Sequence, residues 1–354
     1  MKTGTIIQLL IIVSLLCACD VENPIPDPIE NPEYTNWIIP KNEIIRRGAE
    51  NDFIPSLDNP EFMPAISAEH LNSEDLILGI NIKGDYRAYP VKILNYHEVV
   101  NDVFAAGEKM LSYCPLSGSS AVWDRKIKGI STEFGVSKFV YNSNHLLYDR
   151  VSKGHWLPLK FLCVNGELEE FELEGHHLIE TTWGHWLMMF PGSKVMEPPA
   201  GTGYNYSIDF YEEYKSHDTQ LYSVKPVNTA LWAKEKVHGV IVDKRMKAYS
   251  LEVFGDSTSI LHDNFQGLSI VIIGSRSKQF IVSFERRIPG GPELDFLPAT
   301  DPPNVLMTDN EGNKYDIFGW VIDGPRKGQV LSPTHSISGY WFVLASMYPD
   351  PIIY

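Results

Sequence analysis

The chain has 354 residues, of which 30 are Lys or Arg and 45 are Asp or Glu, so its formal net charge is −15. Nucleic-acid binding requires clustered positive charge, and the sequence has no basic stripe, so nucleic acid is excluded as a partner. With 44% hydrophobic and 12% aromatic residues, the chain can bury a sizeable core, and its length is typical of two domains.

The amino terminus predicts a lipid anchor. One Lys at position 2 precedes an uncharged, mostly apolar stretch at 6–16, which is too short to span a bilayer and suits a signal-peptide core. The stretch ends in Leu16-Cys17-Ala18-Cys19, which resembles a bacterial lipobox. We therefore expect a signal peptide over 1–18 and lipidation of Cys19. The mature protein would be a lipoprotein of the bacterial cell envelope, facing outside the cytoplasm and contacting the membrane through its lipid.

A proline-rich acidic tether is predicted next, over 19–60. The prolines in its first part lie among Asp and Glu residues: Pro24, Pro26, Pro28 and Pro32. This density of proline favours extended geometry over packing into a sheet. The tether would hold the globular part of the protein away from the membrane.

Strand and helix signals alternate after the tether. Short apolar runs bounded by turn residues predict strands, with a hairpin around Lys83-Gly84-Asp85. The predicted strands are 76–82, 86–88, 109–113, 120–123 and 161–164. Helical spacing predicts short helices over 91–103 and 182–189. The predicted class is α+β, strand-rich and with few short helices.

An internal repeat organises the chain. The segment at 78–89 matches the segment at 238–249, and four further matches follow in the same order. This order predicts two tandem copies of one β-dominated unit, although hairpin composition shared by chance is an alternative explanation. We assign the first repeat to 61–200, a connector to 201–235, and a second, degenerate repeat to 236–354.

The first repeat carries polar residues that the second lacks. His97 lies in the predicted helix, and Cys114 precedes a proline in a small-residue loop that would leave its thiol available. Neither residue has a counterpart in the second repeat, which predicts one working site in the first; drift at surface positions is the alternative. Cys163 lies in an apolar run and is interpreted as a small buried residue, while a Cys114–Cys163 disulfide stays open.

Several longer motifs resemble a known family. They include Asn95-x-His97-Glu98-Val99-Val100-Asn101-Asp102, Tyr113-Cys114-Pro115-Leu116 and Tyr148-Asp149-Arg150. With these motifs, the chain from about Ile54 to its end is similar to domain-of-unknown-function family 3179, which implies no assigned activity. The resemblance implies that members often have a second Cys where this chain has Ser117 and a Met where it has Leu147. A soft-metal site available to such members would be incomplete here.

A transition-metal site is the first candidate chemistry. Thiolate and imidazole ligands suit copper or zinc. His97 with Cys114, supplemented by His145 or His155, would supply three to four ligands if the loops converge. The alternative for His97 is a core or hydrogen-bonding histidine on an apolar helical face.

A reactive thiol is the second candidate chemistry. In this hypothesis His97 lowers the pKa of Cys114 as an ion-pair partner. Arg125 or Arg150 would neutralise an anionic substrate, with Asp149 as a further support. Both arginines follow an Asp, so structural Arg–Asp networks are the alternative. Whether the protein is an enzyme stays open on these residues.

A non-catalytic binding or scaffold lipoprotein is the alternative function. In this interpretation aromatic side chains line an apolar cleft that binds a glycan or peptide, although most tryptophans at such positions lie in the core. The residues are Trp123, Trp156, Trp183, Trp186 and Tyr148.

Overall fold

The structure is a computed structural model that describes residues 36–288, 290–299 and 301–354. Strands dominate and the helices are short, which confirms the predicted α+β, strand-rich class. The first sixteen strands are β1 Ile44–Arg46, β2 Leu57–Asp58, β3 Phe62–Pro64, β4 Leu76–Ile82, β5 Asp85–Pro90, β6 Val99–Phe104, β7 Gly107–Cys114, β8 Ser119–Asp124, β9 Lys126–Ile127, β10 Ile130–Ser131, β11 Phe134–Tyr141, β12 Asn144–Asp149, β13 His155–Leu157, β14 Leu162–Asn165, β15 Leu178–Thr182 and β16 Lys194–Met196.

We call residues 36–200 the first half and residues 236–354 the second half. The strands of the second half are β17 Lys236–Val242, β18 Arg245–Ser250, β19 Ser259–Phe265, β20 Leu268–Ser275, β21 Phe280–Glu285, β22 Phe296–Pro298, β23 Met307–Asp309, β24 Lys314–Tyr315, β25 Val321–Asp323, β26 Ser336–Tyr340 and β27 Ile352–Ile353. The α-helices are α1 Val91–His97, α2 Trp183–Met189, α3 Glu212–Ser216 and α4 Trp341–Met347. Short 3-10 helices are Lys41–Glu43, Ala65–Ser67, Pro158–Lys160 and Leu251–Val253.

Besides the two-stranded sheet β10-β9, three larger sheets build the first half. Their strand orders are β15-β4-β5-β16-β3, β2-β6-β7-β8 and β1-β11-β12-β13-β14. The β4–β5 hairpin turns at Lys83 and Gly84, which both have positive φ, as a tight two-residue hairpin turn requires. The hairpin predicted around these residues is therefore confirmed.

Three sheets of the second half follow the same plan, with orders β26-β17-β18-β27, β19-β20-β21 and β22-β23-β24-β25. Ile337 lies opposite Gly239 as Ile179 lies opposite Gly79. The strand β27 is parallel to β18, just as β16 is parallel to β5. These matching registers support two copies of one unit, whose duplication remains a prediction.

The two halves pack against each other reciprocally. The N–H of Tyr340, at the end of β26, donates to the carbonyl oxygen of Ser117 at 2.7 Å. The N–H of Thr182, at the end of β15, donates to the carbonyl oxygen of Lys278 at 3.1 Å. Each half therefore ends its edge strand on the turn between two strands of the other half.

Residues 36–60 belong to the folded body, which corrects the predicted tether and the start of the first repeat at 61. β1 pairs with β11 and β2 pairs with β6, because apolar residues such as Ile44 and Leu57 join the cores. The predicted signal peptide over 1–18, the predicted lipidation site Cys19 and the prolines at 24–32 lie outside the described residues. Within the described part of the chain, no helix is long and apolar enough to cross a membrane.

The five aromatic residues expected to line a cleft are buried. Trp123, Trp156 and Trp186 are 0% exposed, Trp183 is 4% and Tyr148 is 6%. The four tryptophans belong to two hydrophobic core clusters, one of which joins both halves. The expectation that these residues form a binding cleft is therefore wrong, because their large apolar surfaces fill the core instead.

Candidate functional site

The residue after α1, Glu98, has a backbone conformation that non-glycine residues rarely adopt. Its φ is 58°, and its N–H donates to the carbonyl oxygen of Leu94 at 2.8 Å, which closes the last helical turn. The chain then enters β6, so the helix predicted over 91–103 ends at His97. A left-handed non-glycine residue costs about 1 to 3 kcal/mol, and such residues cluster at functional sites.

The Glu98 carboxylate is fully buried between two partners. Arg47 donates to both of its oxygens, at 2.9 and 2.5 Å. His145 Nδ1 lies 2.8 Å from Oε2, and it carries the proton because a carboxylate only accepts. Burial alone would raise the pKa of Glu98, but the charge of Arg47 and the hydrogen bond from His145 hold it well below its usual range. The group is therefore ionised.

Cys114 completes this cluster at the end of β7. Its Sγ accepts the backbone N–H of His145 at 3.4 Å, and the side chain is 0% exposed. Burial, with the Glu98 carboxylate as the next cause, raises the pKa of the thiol. The thiol of Cys114 is therefore buried and its pKa is raised, which differs from the accessible thiol with a lowered pKa that the sequence predicts. We call Arg47, Glu98, Cys114 and His145 the polar centre.

The connector covers the polar centre with tyrosines. Tyr211 and Tyr222 pack against the small apolar cluster that contains Cys114. The hydroxyl of Tyr214 donates to the carbonyl oxygen of Leu116 at 2.8 Å. Burial and the nearby Glu98 raise the pKa of Tyr211, so this phenol stays neutral. The connector, which the sequence predicted only to join the two repeats, therefore closes the polar centre from solvent.

His97 has other partners than the thiol. Its Nδ1 donates to the carbonyl oxygen of Pro55 at 2.9 Å, and its Nε2 lies 2.7 Å from the hydroxyl of Tyr206. Burial lowers the pKa of His97, so the ring is neutral and accepts from Tyr206. This geometry is that of the hydrogen-bonding histidine considered as the alternative, and it joins the connector to the first half.

The four predicted metal ligands are not gathered into one set. His155 lies in β13 with its Nδ1 3.3 Å from Asn165 Oδ1, and burial lowers its pKa to about 4. Across residues 36–354, positions 289 and 300 aside, no group of three or more His, Cys, Asp or Glu side chains is arranged to hold a metal ion. The structure brings together Cys114 and His145, and gives His97 and His155 other partners.

Arg125 and Asp149 belong to local structural networks. Arg125 is buried and donates to the carbonyl oxygen of Thr132 at 3.1 Å. Asp149 accepts the N–H of Ser152 at 2.6 Å and the indole N–H of Trp156 at 3.1 Å. Its carboxylate therefore organises the turn between β12 and β13.

Arg150 lies at the surface of the first half. It donates to Asp58 at 2.9 Å, to Glu133 at 2.8 Å and to Ser56 at 2.7 Å. With all these acceptors on its guanidinium, Arg150 is part of an ion-pair network, as the structural alternative for the two arginines holds. The roles of Arg125, Asp149 and Arg150 in catalysis stay predictions.

The two thiols do not form a disulfide. Cys114 and Cys163 are both free and buried. Cys163 is 0% exposed in a core cluster, which agrees with its interpretation as a small buried residue. Its pKa is raised to about 12 by burial, so it is inert at neutral pH.

Sequence reasoning missed two members of the polar centre. Glu98 stands beside His97 in the motif, but its carboxylate contacts Arg47 and His145, which are not partners of His97. Arg47 lies in the segment assigned to the tether, and nothing local pairs it with a residue 51 positions later. An unexplained Glu beside His97, inside the predicted helix, was the available signal.

The chain was compared with protein families, curated proteins and solved structures. A family model described as "Protein of unknown function (DUF3179)" matches residues 51–351. No curated protein and no solved structure matches the chain. The family match covers most of the sequence, both halves and the connector included, and it confirms the resemblance noted in the motifs. The chain belongs to the DUF3179 family.

Proposed function

We propose that the protein is a lipid-anchored lipoprotein of the bacterial cell envelope whose polar centre binds one copper(I) ion through Cys114 and His145. One observation carries the metal proposal: His145 donates from Nδ1 to a buried carboxylate while its backbone touches a free thiol. Metal-binding histidines commonly donate their other ring N–H to a carboxylate, which fixes the tautomer and leaves Nε2 for the metal.

The donor set favours copper(I) over zinc. Structural zinc takes four ligands, and among the described residues no three His, Cys, Asp or Glu side chains are arranged to hold a metal ion. Thiolate is a soft ligand that selects copper(I), and copper(I) accepts low coordination numbers. Cys114 and His145 therefore suit copper(I) better than they suit zinc.

The state of the thiol favours metal binding over nucleophilic catalysis. A catalytic cysteine needs a lowered pKa and access to substrate, whereas Cys114 is fully buried and its pKa is raised. A soft metal ion displaces the thiol proton on binding. Tyr211 and Tyr222 pack against the cluster that contains Cys114 and shield the thiol from larger molecules.

The anchor is supported by the lipobox-like run Leu16-Cys17-Ala18-Cys19. Expression of the full chain in a bacterium with labelled fatty acid should place label on the protein and leave it in the membrane fraction. A Cys19→Ser variant should lose both. Unlabelled parent protein in the soluble fraction would overturn the anchor without affecting the metal site.

The metal site is tested by anaerobic titration of the full-length protein with copper(I) in competition with a coloured chelator. We expect one copper per chain, and loss of that copper in Cys114→Ser and in His145→Gln. Cys163→Ser and His155→Gln are matched controls, since they remove a buried thiol and a buried imidazole elsewhere, and they should keep it. Absence of stoichiometric copper in the parent, or its retention in Cys114→Ser, would overturn the proposal.

A further inference from the structure

A cleft of about 340 Å³ lies between the two halves, away from the polar centre. Strands from both halves line it: β8 and β15 from the first, and β17, β21 and β26 from the second. His335, Glu174 and Gly175 on its border are exposed, so the cleft opens to solvent. Its volume is within the range of small-ligand sites.

The wall strands present a regular set of main-chain groups to this cleft. In an antiparallel strand, the residues that bond one neighbour alternate with residues that point the opposite way. His335 accepts the N–H of Ile241 on β17, whereas the N–H groups of Thr334 and Tyr340 donate to Ser283 and Ser117 on the opposite side. The main-chain N–H and C=O groups of the even-numbered residues of β26 therefore point away from β17. Those of Ser336 and Ser338 are among them.

The edge of β15 has the same geometry. The N–H groups of His176 and Thr182 donate away from β4, to the carbonyl oxygens of Val122 and Lys278. Between them, the main-chain groups of Leu178 and Glu180 also point away from β4, and both residues line the cleft. In the described part of the chain, no backbone hydrogen bond to Leu178 or Glu180 forms on this side. The same holds for Ser336 and Ser338.

The opposite walls are open at matching places. Val122 on β8 and Ser283 on β21 each accept a hydrogen bond from the neighbouring edge, so Ser120 and Ile281, two residues before them, also face outward. Both residues line the cleft. The edges of β15 and β26 therefore form main-chain hydrogen bonds with β8 and β21, or with the turns before these strands, at their ends, but not, in the described chain, between these points. The cleft is the space where this pairing is interrupted.

We propose that this cleft binds a short peptide in extended conformation, which completes the interrupted strand pairing through its own main chain. An extended peptide offers alternating N–H and C=O groups at the repeat that a strand edge offers, which is how edge strands recruit peptides. The unpaired residues on each edge are two apart, so they span about 7 Å at 3.3 Å per residue. A segment of about three residues fits this span, and a longer peptide extends beyond it at its ends.

The side chains around the cleft suit a sequence-tolerant site. Two of the charged residues that line it, Lys236 and Glu180, pair with each other at 2.7 Å, and a third, Glu174, lies exposed on its border. Phe161, Leu173 and Leu251 supply apolar contacts. Since the charges of Lys236 and Glu180 compensate each other inside the cleft and Glu174 lies only at its border, the main chain carries most of the recognition.

Amide hydrogen exchange of the full-length protein tests this proposal. In the free protein, the amides of Leu178, Glu180, Ser336 and Ser338 should exchange much faster than those of Ile179 and Ile337. A millimolar library of blocked, randomised pentapeptides should slow the four amides about tenfold, as at roughly nine-tenths occupancy. Protected amides in the free protein, or no slowing with the library, would overturn the proposal.

Two controls separate main-chain pairing from other binding. The same library with N-methyl groups at every residue cannot donate hydrogen bonds to the strand edges and should slow the four amides much less; equal slowing would overturn the proposal. Ser338→Pro removes an outward N–H without removing a β17 hydrogen bond, a position where edge strands tolerate proline. It should weaken peptide binding, whereas Ser338→Ala, which keeps the N–H, should not.

Discussion

The two halves of the molecule share a scaffold and differ in the polar centre. Cys114 ends β7 opposite Ser119, and Ser275 ends β20 opposite Phe280 in the same way. Where the first half has α1 and the strained Glu98, the second has only the 3-10 helix Leu251–Val253. The same strand plan therefore forms without a buried thiol and without a buried ion pair.

This difference indicates that the strand scaffold does not require the polar centre. Arg47 reaches the centre from the segment after β1, which precedes the sheets common to both halves. Glu98 keeps a strained conformation although a shorter turn serves in the second half. We infer that the centre is an addition to the scaffold, and the following variants test that inference.

The largest effect is expected for Arg47→Met. Removing one partner of a buried ion pair leaves an uncompensated charge and costs about 3 to 5 kcal/mol, since Glu98 is 0% exposed. Denaturant unfolding measures the loss. If the centre is an addition, the double variant Arg47→Met, Glu98→Gln should recover most of the stability. A double variant as unstable as Arg47→Met would show that the ion pair is required by the fold.

A buried carboxylate of the second half should change the stability with pH in the direction opposite to that of Glu98. Burial raises the pKa of Asp316 to about 6, although it accepts the N–H groups of Phe318 and Trp320. The folded state therefore holds a proton that the unfolded state releases near pH 4, and stability falls as the pH rises from about 4 to 6 by up to about 3 kcal/mol. Asp316→Asn should restore it.

The measurement is the free energy of unfolding of Asp316→Asn and of the parent between pH 3 and 7. The variant should gain on the parent as the pH rises, with little difference below pH 4. A variant less stable than the parent at pH 7 would mean that the ionised carboxylate is stabilised where it lies. Glu98 is the contrast, because its lowered pKa adds stability at neutral pH that is lost on acidification.

Buried histidines in both halves should make the protein sensitive to acid. Burial lowers the pKa of His185 and of His238 to about 3. The unfolded state takes up protons near pH 6.5 while the folded state does not, so each residue removes about 2 kcal/mol of stability between pH 7 and 5. Replacement of either by Gln should flatten the pH dependence by that amount. If thermal unfolding of the Gln variants showed the same dependence of stability on pH as the parent, the assignment of this effect to His185 and His238 would be contradicted.

Local patterns predicted the strands and helices better than they predicted the site. The hairpin at Lys83 and Gly84 and the helix Trp183–Met189 follow from turn residues and apolar spacing close by in sequence. The pairing of Arg47 with Glu98 depends on β1 joining β11, a contact far away in sequence. His97 was preferred over Glu98 because a lone histidine suggests chemistry, whereas a backbone φ cannot be deduced from a single sequence.

We propose above that the first half binds a copper(I) ion through Cys114 and His145. The X-ray absorption spectrum of the copper(I)-loaded full-length protein tests it most directly. We predict scattering from one sulfur and from one imidazole, with the sulfur contribution lost in Cys114→Ser and kept in Cys163→Ser. A copper environment without sulfur, or one that Cys114→Ser leaves unchanged, would contradict the account.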